Sequence, residues 1–590
     1  MGAVRWRYWY AGGLAALWLV QSLARLLFSR VAIGVARLDL VVHVALIVAT
    51  LAGVAFAVSL FPDSRRGRRL AAIAGIALLA PLHAVASLFD AVAMVMYRLT
   101  GLAAPFEMIR SAPDLVLSLL NSIGLDGTRV VLILLATLAV HILLYLPVAG
   151  LLVAIARRAM AWRVPLPAGR GVALRWLVPP LIAATLLLQI PRRLIWVHSN
   201  SFVIAPEALT EGRGVPGTAG MPESDLPGAR PLVLVIVDAL RRDRMGVYDP
   251  TLANTPFLSG LKAKGMLRVY DPSFSTCTFS YCGIMSVLSS HSWDDFGRRP
   301  ATIIDALGRH RYRSYLVMVG GNSHYDNIVR NFGGPIATLF DEKPHFGAPA
   351  DDRHVVAKLR ATTFPDPRHS FLYLHLMSAH AGSVLRPEFV AAARNGDARF
   401  PYALTYDARV RQTDAVLRDI LAALRARGLG DALVVITADH GERLGEGGAL
   451  FHGGPPDPPA IAAPLMVYDP RGTAGWPARA IVSQIDIAPT LLAAAGGTPL
   501  PEWRGTALQR ATARPVVPIG AFETAGLVGI VAGRQVEYRC DRQSGRERIA
   551  LLDSHGGGRA VPLRHVPHLL ALLRRWQREI APVPTGRCRH

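Results

Sequence analysis

The chain is long, apolar and strongly basic. It has 590 residues, a hydrophobic content of 52%, a mean hydropathy of +0.32 and a formal net charge of +22. This hydropathy excludes a purely soluble protein, and the length accommodates a membrane bundle with one large domain. The charge does not indicate nucleic-acid binding, because the basic residues are scattered and form no single stripe beside stacking aromatic side chains. We expect it to meet anionic lipid headgroups or lipopolysaccharide phosphates instead.

Five apolar stretches occupy the N-terminal third. Each is long enough to cross a hydrocarbon core of about 30 Å, and their arginine-rich ends fit a bilayer better than five buried helices of a soluble domain would. The first stretch lacks a small-residue cleavage site, so we expect no cleaved signal peptide. We therefore predict a five-helix transmembrane domain over residues 1–192, with spans near 8–28, 39–61, 71–97, 130–155 and 174–191.

Arginines between the stretches orient this predicted bundle. They are concentrated in the loop between spans two and three and in the loop between spans four and five, so both loops are expected to be cytoplasmic. Everything after Pro191 then lies outside. Residues 105–123, on the outer side, form either an interfacial helix that presents lipid or a helix that packs on the bundle. The orienting arginines are Arg65, Arg66, Arg68 and Arg69, then Arg157, Arg158, Arg163, Arg170 and Arg175.

The remainder of the chain predicts an α/β domain. Residues 193–230 are rich in Gly, Pro and polar residues and indicate a linker, and residues 231–590 form the outer domain. Strand and helix patterns alternate up to about residue 500, which predicts a mostly parallel sheet with helices on both faces. The C-terminal segment is expected to complete the edge of this sheet. The expected strands are 231–237, 313–319, 369–376, 432–438, 463–468, 527–531 and 535–539, and the expected helices include 405–427 and 565–579.

A glycine-rich loop with metal-ligand chemistry follows the apolar strand at 432–436. It reads TADHGERLGEGGALFHG and contains Asp439, His440 and His452. Carboxylate with imidazole suits Zn²⁺, and Mn²⁺ or Mg²⁺ would be favoured if oxygen ligands dominate. By themselves, Asp439 and His440 are equally compatible with a polar loop whose histidine bonds backbone groups.

Two further segments favour the metal site. Asp238 ends the continuous apolar strand in PLVLVIVDALRRDRMG, and ligands of open α/β sheets collect at the carboxyl ends of strands. Asp238 and Asp439 are therefore expected to face one crevice. In SFSTCTFSYCGIMSVLSS, residues 273–290, hydroxyl and thiol groups crowd the start of an apolar helix. Backbone N–H groups and the helix dipole stabilise a phosphate or sulfate there, which makes this start a favourable position for a nucleophile.

Taken together, these segments resemble the alkaline phosphatase and sulfatase superfamily. Within it, the chain is most similar to the membrane-anchored branch that contains lipid A phosphoethanolamine transferases and lipoteichoic acid synthases. The resemblance covers about the last two-thirds of the chain and is specific as an ordered set. It rests on VIVDAL, NTPFLSGLKAKGM at 254–266, the hydroxyl-rich helix start, LHLMSAH at 374–380, the DHGE loop with His452, and IDIAPTLL at 485–492.

The resemblance implies roles for particular residues. Asp238, Asp439, His440 and the helix-start nucleophile would bind the principal metal. His380 and His452 match histidines that contact the transferred group or a second metal. Matching Ile284 and Met285 to the transferase pattern gives Thr278 as the nucleophile and metal ligand, with Thr276 and Ser280 interpreted as helix caps.

The sulfatase register would select Cys277 as the nucleophile instead. Sulfatases require that cysteine to be converted to formylglycine within a CxPxR pattern, and this chain has Phe279 and Tyr281 at the Pro and Arg positions. Thr278 is therefore the predicted nucleophile. Glu442 and Glu446 are expected to support the site or to be solvated. Tyr402, Asp407 and Arg411 either lie near the site or face along a helix.

Three functions are consistent with this sequence. The leading one is a metal-dependent transferase in the bacterial inner membrane. It would move a substituted phosphate, phosphoethanolamine by preference, from a phospholipid to an envelope glycolipid through a phosphothreonine intermediate. The second is a metal-dependent hydrolase, a phosphodiesterase or a sulfatase. The third is a non-catalytic lipid-binding regulator of the envelope.

The four cysteines form two groups. Cys540 and Cys588 bracket the C-terminal tail and could form a disulfide in an oxidising compartment. Cys277 and Cys282 lie five residues apart at a helix start, and we expect them not to bridge.

Overall fold

The computed structural model describes two compact units, which are presented separately. The first comprises Met1–Arg98, Leu102–Glu107 and Leu125–Val203, and the second comprises Leu99–Gly101, Met108–Gly124 and Ile204–His590. The described residues are 60–77, 80–81, 84, 125, 127–161, 163–165, 171–173, 224–292, 300–342, 350–390, 401–511, 515–521, 524–542, 544–552 and 558–580.

The first unit contains an apolar helix of membrane-spanning length. Helix α1 (Gly127–Tyr145) has 19 residues and a mean hydropathy of 2.1 over its most apolar window, and it extends about 28 Å at 1.5 Å per residue. Most of its side chains are exposed, as expected for a surface that lipid can cover. It is followed by a 3-10 turn (Leu146–Val148) and by α2 (Ala149–Ala161). The turn contains a proline that lacks the N–H a continuous helix requires. A short antiparallel pair, β1 (Arg163–Pro165) and β2 (Gly171–Ala173), completes the described part of this unit.

Helix α1 covers the first part of the fourth predicted span, 130–155, and the turn at Leu146–Val148 and the start of α2 occupy the rest. Helix α1 is the one helix within the described residues that is long and apolar enough to cross a membrane. Two predicted spans and residues 105–123 lie outside the described residues, and spans two and three lie largely outside them. The five-helix bundle, the interfacial helix and the domain boundary at 192 therefore stay predictions.

The second unit is built on a central sheet of seven strands. The strands up to residue 483 are β3 (Leu232–Val237), β4 (Leu267–Tyr270), β5 (Ser273–Phe274), β6 (Arg313–Met318), β7 (Ile336–Asp341), β8 (Ser370–Leu376), β9 (Leu433–Thr437), β10 (Arg443–Leu444), β11 (Leu450–Phe451), β12 (Leu465–Tyr468) and β13 (Val482–Ser483). The sheet has the order β4-β12-β9-β3-β8-β6-β7. Its pairings are parallel except those that β12 makes with β4 and β9. The predicted α/β fold with a mostly parallel sheet is confirmed.

All five strands expected in this region are present in the central sheet, and two other strands of that sheet, β4 and β7, were missed. β4 contains an arginine, and β7 alternates half-buried with exposed residues at the edge of the sheet. Neither segment is a continuous apolar run, which is why the sequence pattern did not reveal it. By contrast, all six residues of β3 are buried, so both faces of the sheet are covered at its centre.

Helices cover this sheet. Leu232, Leu234 and Ile236 belong to a core that includes residues of α4, α5 and α10, listed below. Helix α8 begins at Pro401, four residues before the predicted start, because a proline is well tolerated in the first turn of a helix. The helices are α3 (Pro256–Ala263), α4 (Ser280–Ser289), α5 (Ile303–Gly308), α6 (Arg353–Ala361), α7 (Pro387–Val390), α8 (Pro401–Ala426), α9 (Pro458–Ile461) and α10 (Ile487–Ala494).

The C-terminal segment forms a sheet of its own, which corrects the prediction that it completes the edge of the central sheet. Its strands are β14 (Val516–Ala521), β15 (Thr524–Val531), β16 (Arg534–Asp541), β17 (Glu547–Leu552) and β18 (Gly558–Val561), all antiparallel. One set of its side chains packs against Phe274, Ile461 and Ile481. Another packs against α11 (Pro567–Ile580), which matches the predicted C-terminal helix. A strand pattern shows where strands lie but not which strands pair, so it did not reveal the separate sheet. Short hairpins favour antiparallel pairing of consecutive strands with each other.

Candidate active site

Asp238 lies at the carboxyl end of the central strand β3, where its position is fixed by backbone contacts. Its N–H donates to the carbonyl of Leu376, at the end of β8, at 2.8 Å. The next residue, Ala239, has a φ of 60°, a left-handed conformation that is uncommon for a residue with a Cβ atom. The Tyr406 hydroxyl donates to the Ala239 carbonyl at 2.5 Å and thus holds this turn. Strain of this kind is typical of functional sites.

Asp439 and His440 follow the neighbouring strand β9 and present one free ligand atom each. Asp439 Oδ1 accepts from the N–H groups of Ala239 and His440 at 3.1 and 3.0 Å, which leaves Oδ2 to face the site. His440 Nδ1 lies 2.8 Å from the Gly441 carbonyl, which can only accept, so Nδ1 bears the proton and Nε2 retains its lone pair. Gly441 is required here because a Cβ atom would lie 2.1 Å from the Pro459 carbonyl oxygen.

These three residues form a buried group that fits a divalent metal. Ligand atoms of Asp238, Asp439 and His440 all lie within 4.8 Å of one another. Asp238 Oδ1 and Asp439 Oδ2 are buried and have no hydrogen-bond partner within the described part of the chain. Two orphaned carboxylate oxygens beside an imidazole lone pair are costly without a cation and suit one well. The sequence prediction that Asp238, Asp439 and His440 share one crevice therefore agrees with the structure.

The hydroxyl at this group belongs to Ser280, not to Thr278. Ser280 Oγ lies 3.2 Å from His440 Nε2 and 3.5 Å from Asp238 Oδ2. The Thr278 hydroxyl instead donates to the carbonyl of Gly454 at 3.0 Å. The chain is extended at Phe279, with φ −152° and ψ 152°, and the helix begins at the next residue. The side chains of Thr278 and Ser280 therefore face different partners. The predicted position of the Thr278 hydroxyl at the metal group is therefore wrong, and the Ser280 hydroxyl occupies that position. The interpretation of Ser280 as a cap is also replaced, because it is the first residue of α4 and Phe279 is the N-cap.

Two close approaches hold α4 against the metal group. Gly283 lies one turn after Ser280, and a Cβ atom there would lie 2.0 Å from the Asp439 carbonyl oxygen. Gln484 Nε2 donates to the same carbonyl at 2.6 Å, and its Oε1 accepts from the Thr276 N–H at 3.1 Å. Gln484 therefore joins the loop before α4, which contains Thr276, to the loop after β9, which contains Asp439. It precedes IDIAPTLL, and the sequence pattern did not mark it as a site residue.

A disulfide between Cys277 and Cys282 encloses Ser280, which contradicts the expectation that these cysteines do not bridge. The expectation assumed that both lie on the helix. Cys277 instead precedes α4, and the two Cα atoms lie 5.9 Å apart, a separation that a disulfide can span. Cys588 lies outside the described residues, so its pairing with Cys540 stays a prediction.

His380 and His452 lie beside the metal group, as predicted. His380 Nε2 lies 4.0 Å from Asp238 Oδ1, and the ring centroid of His452 lies 4.1 Å from that of His440 and 5.3 Å from that of His380. His452 Nδ1 faces Glu442, with 3.3 Å to Oε1 and 3.4 Å to Oε2. Tyr402, at the start of α8, donates to Glu442 Oε2 at 3.1 Å. Tyr402 and Glu442 therefore support the site from behind His452.

The remaining residues that the sequence associated with the site have other contacts. Asp407 pairs with Arg244, with 2.8 Å between Oδ1 and NH2. Glu446 pairs with the buried Arg241 at 2.6 Å. Arg411 is exposed on α8. None of these three is among the residues that form the metal group.

Burial and histidines set the ionisation of the site. Burial opposes ionisation of Asp238, but His380, His375 and His440 outweigh it and hold the pKa of this carboxyl well below its usual range. Burial raises the pKa of Glu442 to about 7. Burial, followed by the charge of His380, lowers the pKa of His452 to about 4. His452 is consequently neutral near pH 7 in the metal-free protein.

One further histidine was missed by the sequence analysis. His375 is fully buried on β8, and its Nε2 lies 3.5 Å from Asp238 Oδ2. The available signal was its place in LHLMSAH, near the carboxyl end of a central strand and five residues before His380. A histidine inside a buried apolar strand has no solvent to satisfy its ring nitrogens, which is itself a reason to look for a polar partner.

Comparisons with known proteins define the class of this domain. The model of the sulfatase family matches residues 230–497, the segment that contains Asp238, Asp439 and His440. The predicted resemblance to the sulfatases is confirmed for this segment. No curated protein matches the chain.

Solved structures with similar folds include proteins of several activities. The zinc complex of the periplasmic domain of EptC from Escherichia coli shares 16% identity and a TM-score of 0.43, covering 51% of this chain and 93% of that one. The lipoteichoic acid synthase LtaP from Listeria monocytogenes shares 18% identity and a TM-score of 0.42, covering 61% and 95%. The phosphonate monoester hydrolase SpPMH from Silicibacter pomeroyi shares 15% identity and a TM-score of 0.41, covering 60% and 94%. Similarity at this level carries no conclusion about the substrate of this chain.

Proposed function

We propose that this protein is a metal-dependent transferase of the bacterial inner membrane that moves phosphoethanolamine, or another substituted phosphate, from a phospholipid to an envelope glycolipid. The observation that supports phosphoryl chemistry is the Ser280 hydroxyl, which faces the buried carboxylates at the start of α4. An ordinary hydroxyl forms a phosphoester directly. Conversion to formylglycine would need Pro and Arg two and four residues later, and Cys282 and Ile284 occupy those positions.

The protein groups have distinct roles in this proposal. Asp238, Asp439, His440 and Ser280 would hold the metal, with zinc as the proposed ion and Mn²⁺ or Mg²⁺ as alternatives. When bound, such a metal supplies positive charge that favours the ionised hydroxyl and offsets charge on the phosphate. Ser280 Oγ attacks the phosphorus, and the bond between phosphorus and the diacylglycerol oxygen breaks. The N-terminus of α4 favours the anionic phosphoserine that results.

His452 and His380 are proposed to handle the leaving and attacking oxygens. One of these histidines accepts the proton of Ser280 as its oxygen attacks and donates that proton to the leaving diacylglycerol oxygen. In the second half of the reaction the same histidine accepts the proton of the acceptor hydroxyl and returns it to Ser280. Their position beside Asp238 and His440 supports this role. Glu442 orients His452 through Nδ1.

A lipid donor and an envelope acceptor follow from the proposed membrane topology. Helix α1 is long and apolar enough to cross a bilayer, and the arginine distribution assigns residues after Pro191 to the outer side. A catalytic domain tethered in this way meets phospholipid and glycolipid at one surface. If water replaces the acceptor, the same site is a phosphodiesterase.

The test is intact-mass measurement of the full chain in detergent after incubation with zinc and a fluorescent phosphatidylethanolamine. Wild type should gain one phosphoethanolamine and release fluorescent diacylglycerol. Ser280→Ala should do neither. Thr278→Ala is the matched control and should keep both, since its hydroxyl is bonded to Gly454.

The outcomes separate the alternatives. Release of diacylglycerol that continues without acceptor and leaves free phosphoethanolamine would indicate a hydrolase. Zinc binding without any adduct or lipid cleavage would overturn the transferase and favour other donors or a non-catalytic regulator. Loss of the adduct in Thr278→Ala but not in Ser280→Ala would return the nucleophile to Thr278.

A further inference from the structure

Two buried side chains of β8 extend inward from the metal group. His375 is 0% and Tyr373 1% exposed. They are two residues apart on the strand, and their side chains approach so that the Tyr373 hydroxyl lies 3.0 Å from His375 Nδ1. His375 Nε2 lies 3.5 Å from Asp238 Oδ2. The result is a line of three polar groups that ends at a proposed metal ligand.

The chemistry of the three groups fixes which of their atoms donate and which accept. The carboxylate of Asp238 can only accept, so Nε2 bears the proton and Nδ1 carries a lone pair. The Tyr373 O–H then donates to Nδ1. Nε2 makes no hydrogen bond within the described residues, and the Asp238 carboxylate that it faces lies 3.5 Å away. Without this role, His375 would be a buried imidazole with an unsatisfied N–H, which is costly.

The position of His375 matters because Asp238 must direct a particular oxygen to the metal. Ser280 and His375 both approach Oδ2, at 3.5 Å each, while His440 Nε2 lies 3.7 Å from Oδ1. Metal-binding side chains are commonly oriented by a second group that bonds their remaining atom. His375 is not one of the three residues whose ligand atoms form the metal group.

We infer that His375 is a positioning residue that orients Asp238 for metal binding, and that Tyr373 fixes the ring of His375 in the required tautomer. This inference rests on the metal site of the proposed function and adds two residues to it. It does not depend on which reaction the site performs.

The test is the zinc dissociation constant of the full chain in detergent, measured on metal-stripped protein by competition with a fluorescent chelator. His375→Leu should weaken zinc binding about 10-fold to 100-fold, the range for removing a group that orients a metal ligand. His375→Gln should recover most of this loss, because its amide N–H extends about as far from the backbone as Nε2. Tyr373→Phe should weaken binding less than His375→Leu.

Two control variants account for the loss of a buried ring. His310 Nδ1 and the Tyr312 hydroxyl bond the backbone carbonyls of Ser224 and Arg230, at 2.9 and 3.0 Å, and neither is part of the metal group. His310→Leu and Tyr312→Phe should leave the zinc dissociation constant unchanged. A purely structural role of His375 would lower the unfolding midpoint of the metal-free protein and leave zinc affinity unchanged, and that result overturns the inference.

Other outcomes are equally decisive. If His375→Gln loses as much zinc affinity as His375→Leu, His375 acts as a ligand and the positioning role is wrong. Should His375→Leu fail to fold, His375→Asn replaces it, since its amide reaches the Nδ1 position but not Asp238. Equal affinity of the Asn and Gln variants then overturns the inference, as does a wild type that binds no zinc. If the zinc affinities of the variants are as expected but the wild type transfers nothing, only the proposed function is refuted.

Discussion

At the scale of single residues, the site depends on which atom of each side chain is left free. Asp439 uses one oxygen on backbone N–H groups, His440 uses Nδ1 on a carbonyl, and the opposite atom of each is directed to the metal group. Glu442 orients His452 in a similar way. It is buried, accepts from the Tyr402 hydroxyl and faces Nδ1 of His452. Neutral His452 near pH 7 is consistent with a group that receives a proton from an attacking hydroxyl.

Glu442→Gln tests this orientation of His452. The change preserves size but removes the charge that faces Nδ1, so lipid cleavage should fall about 10-fold to 100-fold, as when the partner of a site histidine is removed. Turnover of fluorescent phosphatidylethanolamine measures the effect. Glu446→Gln is the control, because Glu446 pairs with Arg241 rather than with a site histidine, and its turnover should stay near that of wild type. Equal losses in the two variants would count against the role of Glu442.

At the scale of elements, helix α4 and the loop after β9 must approach closely. Gly283 allows this approach, and the disulfide of Cys277 with Cys282 and the amide of Gln484 hold the loop before the helix. The C-terminal sheet contributes as well, because the Gly520 N–H of β14 donates to the Thr276 carbonyl at 2.8 Å. The loop that leads to Ser280 is thus positioned by segments that are more than 200 residues apart in sequence.

Gly283→Ala should separate Ser280 from its partners. A Cβ atom would meet backbone rather than a flexible side chain, so α4 must shift away from Asp439. We expect loss of zinc binding and a lowered unfolding midpoint, measured by metal analysis and thermal unfolding. Gly260→Ala in α3 is the matched control, since a Cβ there meets nothing within 4 Å. That variant should be unchanged or more stable by up to about 1 kcal/mol, the helix propensity difference. Normal zinc content in Gly283→Ala would contradict this account.

At the scale of the whole molecule, the proposed function requires the chain to cross the membrane before residue 224. The fourth predicted span agrees with α1, while the other spans and the side on which each loop lies stay predictions. The arginine distribution assigns residue 64 to the cytoplasm and residue 224 to the outside. Ser64 and Ser224 are both exposed, so each can be replaced to report on its side.

Cysteine labelling in intact cells tests this topology. An impermeant maleimide should label Ser224→Cys and should label Ser64→Cys only after the cells are opened. The unsubstituted chain is the control and gives the background labelling of the native cysteines, of which Cys277 and Cys282 are bonded to each other. Labelling of Ser64→Cys in intact cells would show that the bundle has the opposite orientation to the predicted one. It would exclude a catalytic domain on the outer side.

The sequence by itself indicated the α/β class, the strands at the centre of the sheet, the metal group of Asp238, Asp439 and His440, and the two histidines beside it, His380 and His452. These depend on local features: continuous apolar runs that must be buried, and polar residues at the carboxyl ends of strands. The tertiary structure alone decided between Ser280 and Thr278, brought in His375 and Gln484, joined Cys277 to Cys282 and separated the C-terminal sheet. Each of these depends on the direction of a side chain or on contact between distant segments. Neither is fixed by local pattern, because packing against the rest of the chain selects one arrangement among several that the same residues allow.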